Sequence, residues 1–553
     1  MMKKILRRAA LGIGLFFVFL SAAACGDTPG SENSDGVSFS SESAVKPLSE
    51  VAPISYEGVA SLSDMDAYAA QVRKDGVNND DPVENGIVSS PWFSLKVNEI
   101  EVPVYATRCG LGVHSFAWID AAKSEETPLL EVSLTVQSAY KSVVVLPESA
   151  GVAAELSEKT VRATIEAYGS FSFVFDRKPE GALTLYVAPE EELNVPEGWK
   201  IERFSPGRYT REETTFSDSR TAYVFEAGRY EITSISVPSD SVVWFERGAY
   251  MEVYADGEGD YYGAVRSAGT QNIGIAGRGL FDFSAVQGGD SKVKGVFSFS
   301  RVTNAEFSGV VSINSNSWSL CFTDSENVDI SRCMLLGYRT FSDGIMLSDC
   351  RNSGAKHCFL RTGDDAVETK STGASGTDTI LYEDNAVWTD KANAYGAIYE
   401  CSNGMKNVRF RNCSVGFAQP TWSPMLGVCV VQMGNNKNAV WENIFFENIE
   451  VYKNDCALVN ITLRDPEGNG IQGGQAKNLY FSNIVSKRCY GFPVRIYVGS
   501  GCKLGTVYLD EIFHNGRRLE EEDIDNSEII AVENANASWS KKRNVKINTL
   551  ADE

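Results

Sequence analysis

A loose repeat of short segments that begin with asparagine restricts the fold of this chain more than any other feature of its sequence. Each segment alternates apolar and polar residues after its asparagine, and most starts are 23 to 40 residues apart. The segments are NIGIAGRGLFDF (272–283), NAEFSGVVSI (304–313), NVDISRCMLL (327–336), NSGAKHCFLR (352–361), NVRFRNCSV (407–415), NAVWENIFFENIEV (438–451) and NLYFSNIVSK (478–487). A period of two indicates strands, and repeats of this length indicate stacked supersecondary units.

Short strands in stacked coils predict a right-handed parallel β-helix over residues 206–520. In such a stack each coil buries its apolar face only against its neighbours, so the coils share one continuous core. The recurring asparagines are expected to be structural. Each can bond its own backbone at a tight turn, or stack on the next as a ladder.

The remaining segments differ from the repeat. Residues 86–205 contain short β-rich runs separated by turns, which predict a β-sandwich. The sandwich either binds glycan or covers the N-terminal end of the stack. Residues 25–85 are predicted to form a polar, irregular tether, and residues 521–553 a C-terminal extension. The fold class is therefore all-β.

The N-terminus carries an export signal. MMKKILRR supplies positive charge, AALGIGLFFVFLSAA is apolar, and small residues precede Cys25. Residues 1–24 are thus a predicted signal peptide, and the small residues before Cys25 resemble a bacterial lipobox. We expect an exported protein that is lipid-anchored on the bacterial cell envelope through Cys25, with full secretion as the alternative. The polar segment GDTPGSENSDGVSFSSES after Cys25 is typical of a flexible tether.

Charge and cysteine content limit the partners and cofactors. The formal net charge is −22, which disfavours nucleic acid and anionic membranes, so contact with a membrane is expected only through the lipid anchor. The chain has only three histidines and no C-x-x-C pair, so a metal site built on these residues is not expected. Cys350 and Cys358, or Cys321 and Cys333, could form disulfides; buried free thiols are the favoured alternative. We expect no cofactor and a monomer.

Three aspartates are the candidate catalytic residues. Aligning the strand in SDGIMLS (342–348) with that in DDAVETK (364–370) places Asp343 beside Asp365, and Asp364 in the place of Ser342. Neighbouring strands are about 4.8 Å apart, so the three carboxylates should form one patch, and at least one pKa should rise. Because Asp343 shares the parity of inward-facing Ile345, the aspartates must lie in the turn before each strand. There, Gly344 and Gly363 are expected to allow unusual backbone angles.

The paired carboxylates suit acid–base hydrolysis of a glycosidic bond. One carboxylic acid protonates the leaving oxygen while another activates water, and in inverting enzymes the two carboxyl groups stand roughly 6.5–9.5 Å apart. The alternatives for an aspartate doublet are a turn cap or a calcium site. Convergence of two coils on one place favours catalysis.

These motifs resemble those of the polygalacturonases, glycoside hydrolase family 28. That family has Asn-Thr-Asp, Asp-Asp, Gly-His-Gly and Arg-Ile-Lys in order, and this chain has FSDG (341–344), GDDA (363–366), AYGA (394–397) and VRIY (494–497). Tyr395 stands in the place of the histidine and Tyr497 in that of the lysine. Both differences argue against galacturonate as the substrate.

The chain is more similar to glycoside hydrolase family 49, the dextranases and isopullulanases, through DGI followed by GDDAVETKSTGAS. That resemblance implies a β-sandwich joined to a right-handed β-helix, and a polysaccharide or oligosaccharide substrate cleaved with inversion. It implies that Asp364 is the general acid, and that Asp343 and Asp365 position and activate water. The insert VWTDKANAYGAIYEC (387–401) departs from the dextranase pattern.

Other residues are predicted to shape the cleft if the stacking register holds. Aromatic platforms and polar donors suit sugars. The predicted substrate-binding residues are Tyr395, Tyr399, Trp388, Trp422, Gln432, Arg495 and Lys370. Core packing is an equal alternative for each tryptophan. Arg495 either binds an acidic group of the sugar or, the favoured choice, pairs with the aspartate patch, and Lys370 and Glu368 are expected on the rim of the cleft or in solvent.

Two further functions remain open at this stage. The first is a calcium-dependent polysaccharide lyase on the same scaffold, and the second is a non-catalytic glycan-binding solenoid. The sequence does not fix the sugar, the linkage, or endo against exo action.

Overall fold

The structure is a computed structural model that describes residues 51–65, 68, 83–110, 112–121, 130–255, 263–287, 296–421, 423, 426–434, 439–463, 474–499, 501–533 and 539–549. The signal peptide, Cys25, much of the tether and Trp422 lie outside the described residues. Export, lipid anchoring and the monomeric state therefore remain predictions. Within the described ranges, no helix is long and apolar enough to cross a membrane.

The described structure begins with two antiparallel-rich sheets that pack as a sandwich around their own apolar core. Val51–Pro53 is one of their strands, so the prediction that residues 25–85 are an irregular tether is wrong for this segment. The seven-stranded sheet contains Val51–Pro53, Ile87–Ser89, Tyr105–Cys109, Gly112–Ala121, Val143–Leu146, Gly169–Phe175 and Leu183–Ala188. The five-stranded sheet contains Phe93–Val97, Ile100–Val102, Leu130–Val136, Ala154–Ser157 and Thr160–Ile165. Strands such as Leu130–Val136 alternate buried and more exposed residues, as a sheet with one face on a core requires.

The rest of the chain is a right-handed parallel β-helix, so the predicted fold class is confirmed. A 24-stranded sheet contains Lys200–Phe204, Gly207–Arg208, Thr221–Phe225, Gly228–Ile232, Ser241–Phe245, Ala249–Val253, Gln271–Gly277, Leu280–Asp282, Thr303–Ser308, Val311–Ile313, Glu326–Ser331, Met334–Leu336, Arg351–Lys356, Phe359–Thr362, Thr377–Glu383, Ala386–Thr389, Met405–Arg411, Ser414–Ala418, Val440–Asn454, Gln475–Ser486, Lys503–Leu504, Val507–His514, Arg517–Arg518 and Val545–Ile547. An 11-stranded sheet contains Ile235–Ser236, Val265–Ala268, Phe297–Ser300, Leu320–Thr323, Ile345–Ser348, Val367–Ser371, Tyr395–Cys401, Gly427–Gly434, Ala457–Leu463, Val494–Val498 and Ile530–Glu533.

A typical coil gives two strands to the 24-stranded sheet and one to the 11-stranded sheet. One apolar core runs through the coils from Phe204 to Ile547. Strands Ile530–Glu533 and Val545–Ile547 belong to the β-helix sheets, so the prediction that the β-helix ends at residue 520 is wrong. The described helices are short: 3₁₀ turns at Glu148–Ala150 and Glu521–Asp525, and an α-helical turn at Lys541–Asn544.

The repeated asparagines form ladders along the β-helix. Asn327 Nδ2 donates to Asn304 Oδ1 at 3.0 Å, and Asn304 Nδ2 donates to Asn272 Oδ1 at 2.9 Å. These asparagines have φ between 53° and 58°, a backbone region that asparagine tolerates better than most residues. A second ladder joins Asn412, Asn448 and Asn483. The asparagines of the first ladder thus lie inside strands with left-handed backbone angles, and both sets stack from coil to coil, which supports their predicted structural role.

The cysteines of the described residues are free and buried. They include both candidate pairs, so the disulfide alternative is wrong and the buried-thiol alternative is confirmed for these positions. Each thiol replaces a small apolar side chain in the core.

The seven-stranded sheet packs against the flank of the β-helix. Trp118 and Tyr186 of the sandwich join one apolar cluster with Met334, Phe359 and Trp388 of the coils. The cluster also contains residues of the coil strands Leu280–Asp282 and Ser414–Ala418. The sandwich thus lies along the side of the stack, so the alternative in which it covers the N-terminal end is wrong.

Candidate active site

The three aspartates lie in two adjacent coils, directly before strands of the 11-stranded sheet. Ile345 pairs with Val367 in parallel register, and the Gly344 N–H donates to the Asp365 carbonyl at 2.9 Å. Asp343 and Asp365 each precede their strand by two residues, which places them side by side. The structure therefore has the predicted register, with the aspartates in the turns.

The two glycines of these turns permit close backbone approach. A Cβ on Gly344 would lie 2.2 Å from the Ala366 carbonyl oxygen, and one on Gly363 would lie 2.6 Å from the Tyr338 carbonyl carbon. Neither glycine has a positive φ. The expectation of unusual backbone angles is therefore wrong, and lack of space explains the glycines instead.

One carboxylate oxygen from each of Asp343, Asp364 and Asp365 lies within 4.8 Å of the other two. It follows that one position lies no farther than about 2.8 Å (4.8 Å divided by √3) from each of these three oxygen atoms. This is the hydrogen-bond distance of a water molecule. A water at that position would contact all three carboxylates at once.

Burial and mutual repulsion shift the pKa values of the cluster upward. Burial and then Asp365 raise the pKa of Asp364 to about 7. Burial and then Asp364 hold the pKa of Asp343 well above its usual range. Asp343 and Asp365 are only 4% and 8% exposed, and Asp364 is the more accessible member. Asp364 is therefore the carboxylic acid that is best placed to reach a leaving group.

Of the three carboxylates, Asp365 has the hydrogen bonds that best stabilise its ionised form. Its Oδ1 accepts hydrogen bonds from the Asn393 N–H at 2.9 Å and from Asn393 Nδ2 at 2.8 Å. Burial still raises the pKa of Asp365, and these two hydrogen bonds act to lower it. Asp343 Oδ2, in contrast, is buried without a hydrogen-bond partner in the described structure.

A buried cation lies beside the aspartates. Lys370 Nζ is 2.7 Å from Glu400 Oε2 and 3.3 Å from Glu368 Oε2, and 4.9 Å from the centre of the Trp318 ring. Although burial acts to lower it, Glu368 and Glu400 hold the pKa of Lys370 well above its usual range. Lys370 and Glu368 are both buried, so the expectation that they lie on the rim or in solvent is wrong.

Two predicted sugar-binding residues belong to the interior. Tyr395 is aligned with inward-facing Val367, and its hydroxyl donates to the Asn385 and Ser414 carbonyls. Trp388 is buried under the sandwich in the apolar interface cluster. Tyr395 is a correction to the prediction, because the strand register turns its ring inward. For Trp388 the core-packing alternative is confirmed and the sugar contact is wrong, because the sandwich covers the ring.

The other predicted contacts lie away from the aspartates. Arg495 pairs with Glu533 Oε1 at 3.0 Å. Through Asn460, Val430 and Gly396 it is aligned with Glu368 four strands away, roughly 19 Å along the stack, so its favoured pairing with the aspartate patch is wrong. Gln432 is buried and aligned with Ile398, and the half-buried ring of Tyr399 packs over Gly434. Ile398 and Tyr399 lie five and six residues after Asn393, the residue aligned with Asp365, so the positions of Gln432 and Tyr399 are farther along the strands than the aspartates.

The STGAS segment after the doublet has a structural role. The Asp349 carboxylate accepts hydrogen bonds from the backbone N–H groups of Thr372, Gly373 and Gly376 at 2.7 to 3.2 Å. This turn lies at the far end of strand Val367–Ser371 from the doublet. Asp349 therefore stabilises the turn that follows strand Val367–Ser371, and the aspartate doublet precedes the same strand.

Sequence reasoning missed two residues that contact the cluster. Asn393 occupies the position of Asp365 one coil later, and this register is the signal that could have found it. Phe341 has a φ of 60°, donates its backbone N–H to the Asp364 carboxylate, and leaves its side chain 47% exposed.

No family model and no curated protein matches this chain. Its fold resembles that of Dex49A from Penicillium minioluteum, with a TM-score of 0.58 and 14% sequence identity over 85% of this chain and 96% of that one. A hyperthermoactive exopolygalacturonase from Thermotoga maritima is also similar, with a TM-score of 0.43 and 18% identity over 59% of this chain and 84% of that one. The resemblance to Dex49A supports the β-helix architecture.

Proposed function

We propose that this chain is a glycoside hydrolase that cleaves a polysaccharide with inversion. The observation that carries the proposal is that one oxygen of each carboxylate lies within 4.8 Å of the other two, with the pKa of Asp364 raised to about 7. Its fold likeness to Dex49A is consistent with a carbohydrate substrate. Dextran and pullulan are the first substrates to test, because the sequence resemblance includes dextranases and isopullulanases.

In the proposed reaction, Asp364 donates its proton to the oxygen of the bond being cleaved. Asp365, held by Asn393, removes a proton from the water, and Asp343 orients that water through a third hydrogen bond. The water oxygen bonds to the anomeric carbon as the bond to the leaving oxygen breaks. The nearest oxygens of the three carboxylates lie within 4.8 Å of one another, whereas the carboxyl groups of inverting enzymes stand roughly 6.5–9.5 Å apart. The carboxylate cluster therefore supports hydrolysis, and inversion is proposed from the family resemblance alone.

Proton NMR of the first products from dextran, pullulan and polygalacturonate tests this function. Inversion predicts that the anomeric configuration of the new reducing end is opposite to that of the cleaved bond. EDTA should leave the rate unchanged, because no step uses a metal. Products that absorb in the ultraviolet as unsaturated uronides, together with a loss of activity in EDTA, would support a calcium-dependent lyase at the same three oxygens.

The pH dependence should report the proposed acid. Asp364 must be protonated to act, so kcat/KM should fall as the pH rises through about 7. Each further unit of pH should lower kcat/KM about tenfold. A profile for the Asp364→Asn variant should lose this basic limb. A wild-type profile that is flat between pH 6 and 8 would contradict the assignment.

A further inference from the structure

The register of the 11-stranded sheet places two exposed aromatic residues on the same edge as the aspartates. Asp365 is aligned with Asn393, Asn393 with Gly427, Gly427 with Ala457, and Ala457 with Phe492, one coil at a time. Successive strands are about 4.8 Å apart, so Phe492 lies roughly 19 Å from Asp365 along the stack. Tyr490 lies in the same turn, two residues earlier.

These aromatic side chains are unusually accessible. Tyr490 is 72% exposed and Phe492 is 43% exposed, whereas most large apolar residues of the described chain are buried. The backbone holds the turn in place, because the Tyr490 N–H donates to the Asn454 carbonyl and the Leu458 N–H donates to the Phe492 carbonyl, each at 2.9 Å. The rings are thus exposed on an ordered support.

Polar groups surround the Tyr490 ring. Lys453 Nζ lies 5.5 Å from the ring centre and 3.4 Å from Asp455 Oδ2, which also accepts a hydrogen bond from Gln419 Nε2 at 3.0 Å. An aromatic face beside an ammonium group, a carboxylate and an amide matches the apolar C–H face and the hydroxyls of a sugar.

The residues aligned between the aspartates and the aromatic pair are small. Gly427 and Ala457 occupy the aligned positions between Asn393 and Phe492. A Cβ on Gly427 would lie 2.7 Å from Asn460 Cβ, so a larger residue does not fit there. In this column of positions, no large side chain stands between the aspartates and the aromatic pair.

We propose that Tyr490 and Phe492 form a distal subsite for the same polysaccharide whose bond lies at the aspartates, so that the substrate runs along the axis of the stack. This inference rests on the proposed function. The occupant is a glycan because the aromatic pair shares one sheet edge with a carboxylate cluster suited to glycoside chemistry. A disaccharide at the aspartates would be too short to reach the pair, so the subsite favours long substrates and internal cleavage.

The Tyr490→Ala/Phe492→Ala double variant tests the subsite, with Tyr254→Ala, another exposed tyrosine, as the control. On the polymer that the wild type cleaves, the double variant should raise KM roughly tenfold or more and leave kcat unchanged. On the shortest oligosaccharide that is cleaved, its kinetics should equal those of the wild type. Equal losses on short and long substrates would overturn the proposal, and an unchanged Tm would show that the variant is folded.

A binding experiment separates failure of the subsite from failure of the enzyme. Asp364→Asn, with and without the two alanine substitutions, would be run in native gels that contain dextran, pullulan or polygalacturonate. Retardation that requires Tyr490 and Phe492 supports the subsite, even if the wild type hydrolyses none of these polymers and the proposed function fails. Retardation that does not depend on the two residues, or its absence from every gel, overturns the subsite.

Discussion

Replacement of Asp364 by asparagine should lower kcat by about a thousandfold, within the usual range for loss of a general acid. The amide keeps the shape of the carboxyl group and can still contact the Phe341 and Asp365 N–H groups through its oxygen. It cannot donate a proton to the leaving oxygen. Steady-state hydrolysis of the preferred polysaccharide measures the loss, and circular dichroism and Tm should match the wild type.

The matched control is Asp329→Asn, which changes an exposed carboxylate on a neighbouring coil that pairs with Lys356. Its kcat should equal that of the wild type. A substrate with an activated aryl leaving group needs little protonation, so Asp364→Asn should recover much of its activity there. If Asp364→Asn hydrolyses the polymer at the wild-type rate, Asp364 is not the general acid and the active site lies elsewhere. A wild type that binds polysaccharides but hydrolyses none of them would instead support a non-catalytic binding protein.

Replacement of Lys370 by methionine should lower the free energy of unfolding by about 3–5 kcal/mol, the usual result of leaving a buried charge without its partner. Lys370 and Glu368 are both buried, and neither Glu368 oxygen has a hydrogen-bond partner within the described structure. Chemical denaturation measures this change. The Glu368→Gln/Lys370→Met double variant should recover much of the stability, because it removes both charges together.

Lys356→Met is the control, since Lys356 forms an exposed pair that contributes about 1 kcal/mol or less. Equal stabilities of Lys370→Met and Lys356→Met would contradict the argument. The pH dependence of the activity that remains in Lys370→Met tests the role of Lys370 independently of stability. Lys370 acts to lower the pKa of Asp343, Asp364 and Asp365, so its loss should raise all three and move the acidic limb of the pH profile upward.

The sequence predicts the architecture well because its strongest signals are local and repeated. The asparagine positions and the period-two strands define a parallel β-helix, and the alignment of two strands gives the neighbourhood of Asp343 and Asp365. Because strands of adjacent coils pair in parallel register, the positions of two residues in their strands predict the distance between them in the structure. A register argument therefore works for residues of adjacent coils.

The same argument fails for side chains whose surroundings come from elsewhere in the chain. Trp388 is covered by a sandwich more than 180 residues earlier in sequence, which no local pattern reveals. The place of Tyr395 in a motif predicts a sugar contact, although its alignment with Val367 directs the ring inward. Lys370 has the outward parity of a rim residue, yet Glu368 and Glu400 surround it.

The docking of the sandwich on the flank has an evolutionary consequence. Strand Phe359–Thr362 leads directly into the aspartate doublet, and its buried Arg361 contacts His114 and the Pro179 carbonyl of the sandwich as well as Asp390. Recombination that exchanged the sandwich for an unrelated module would leave this guanidinium without part of its support, only three residues before Asp364. We therefore expect the two modules to be inherited as one unit, and new specificities to arise by changes in the turns.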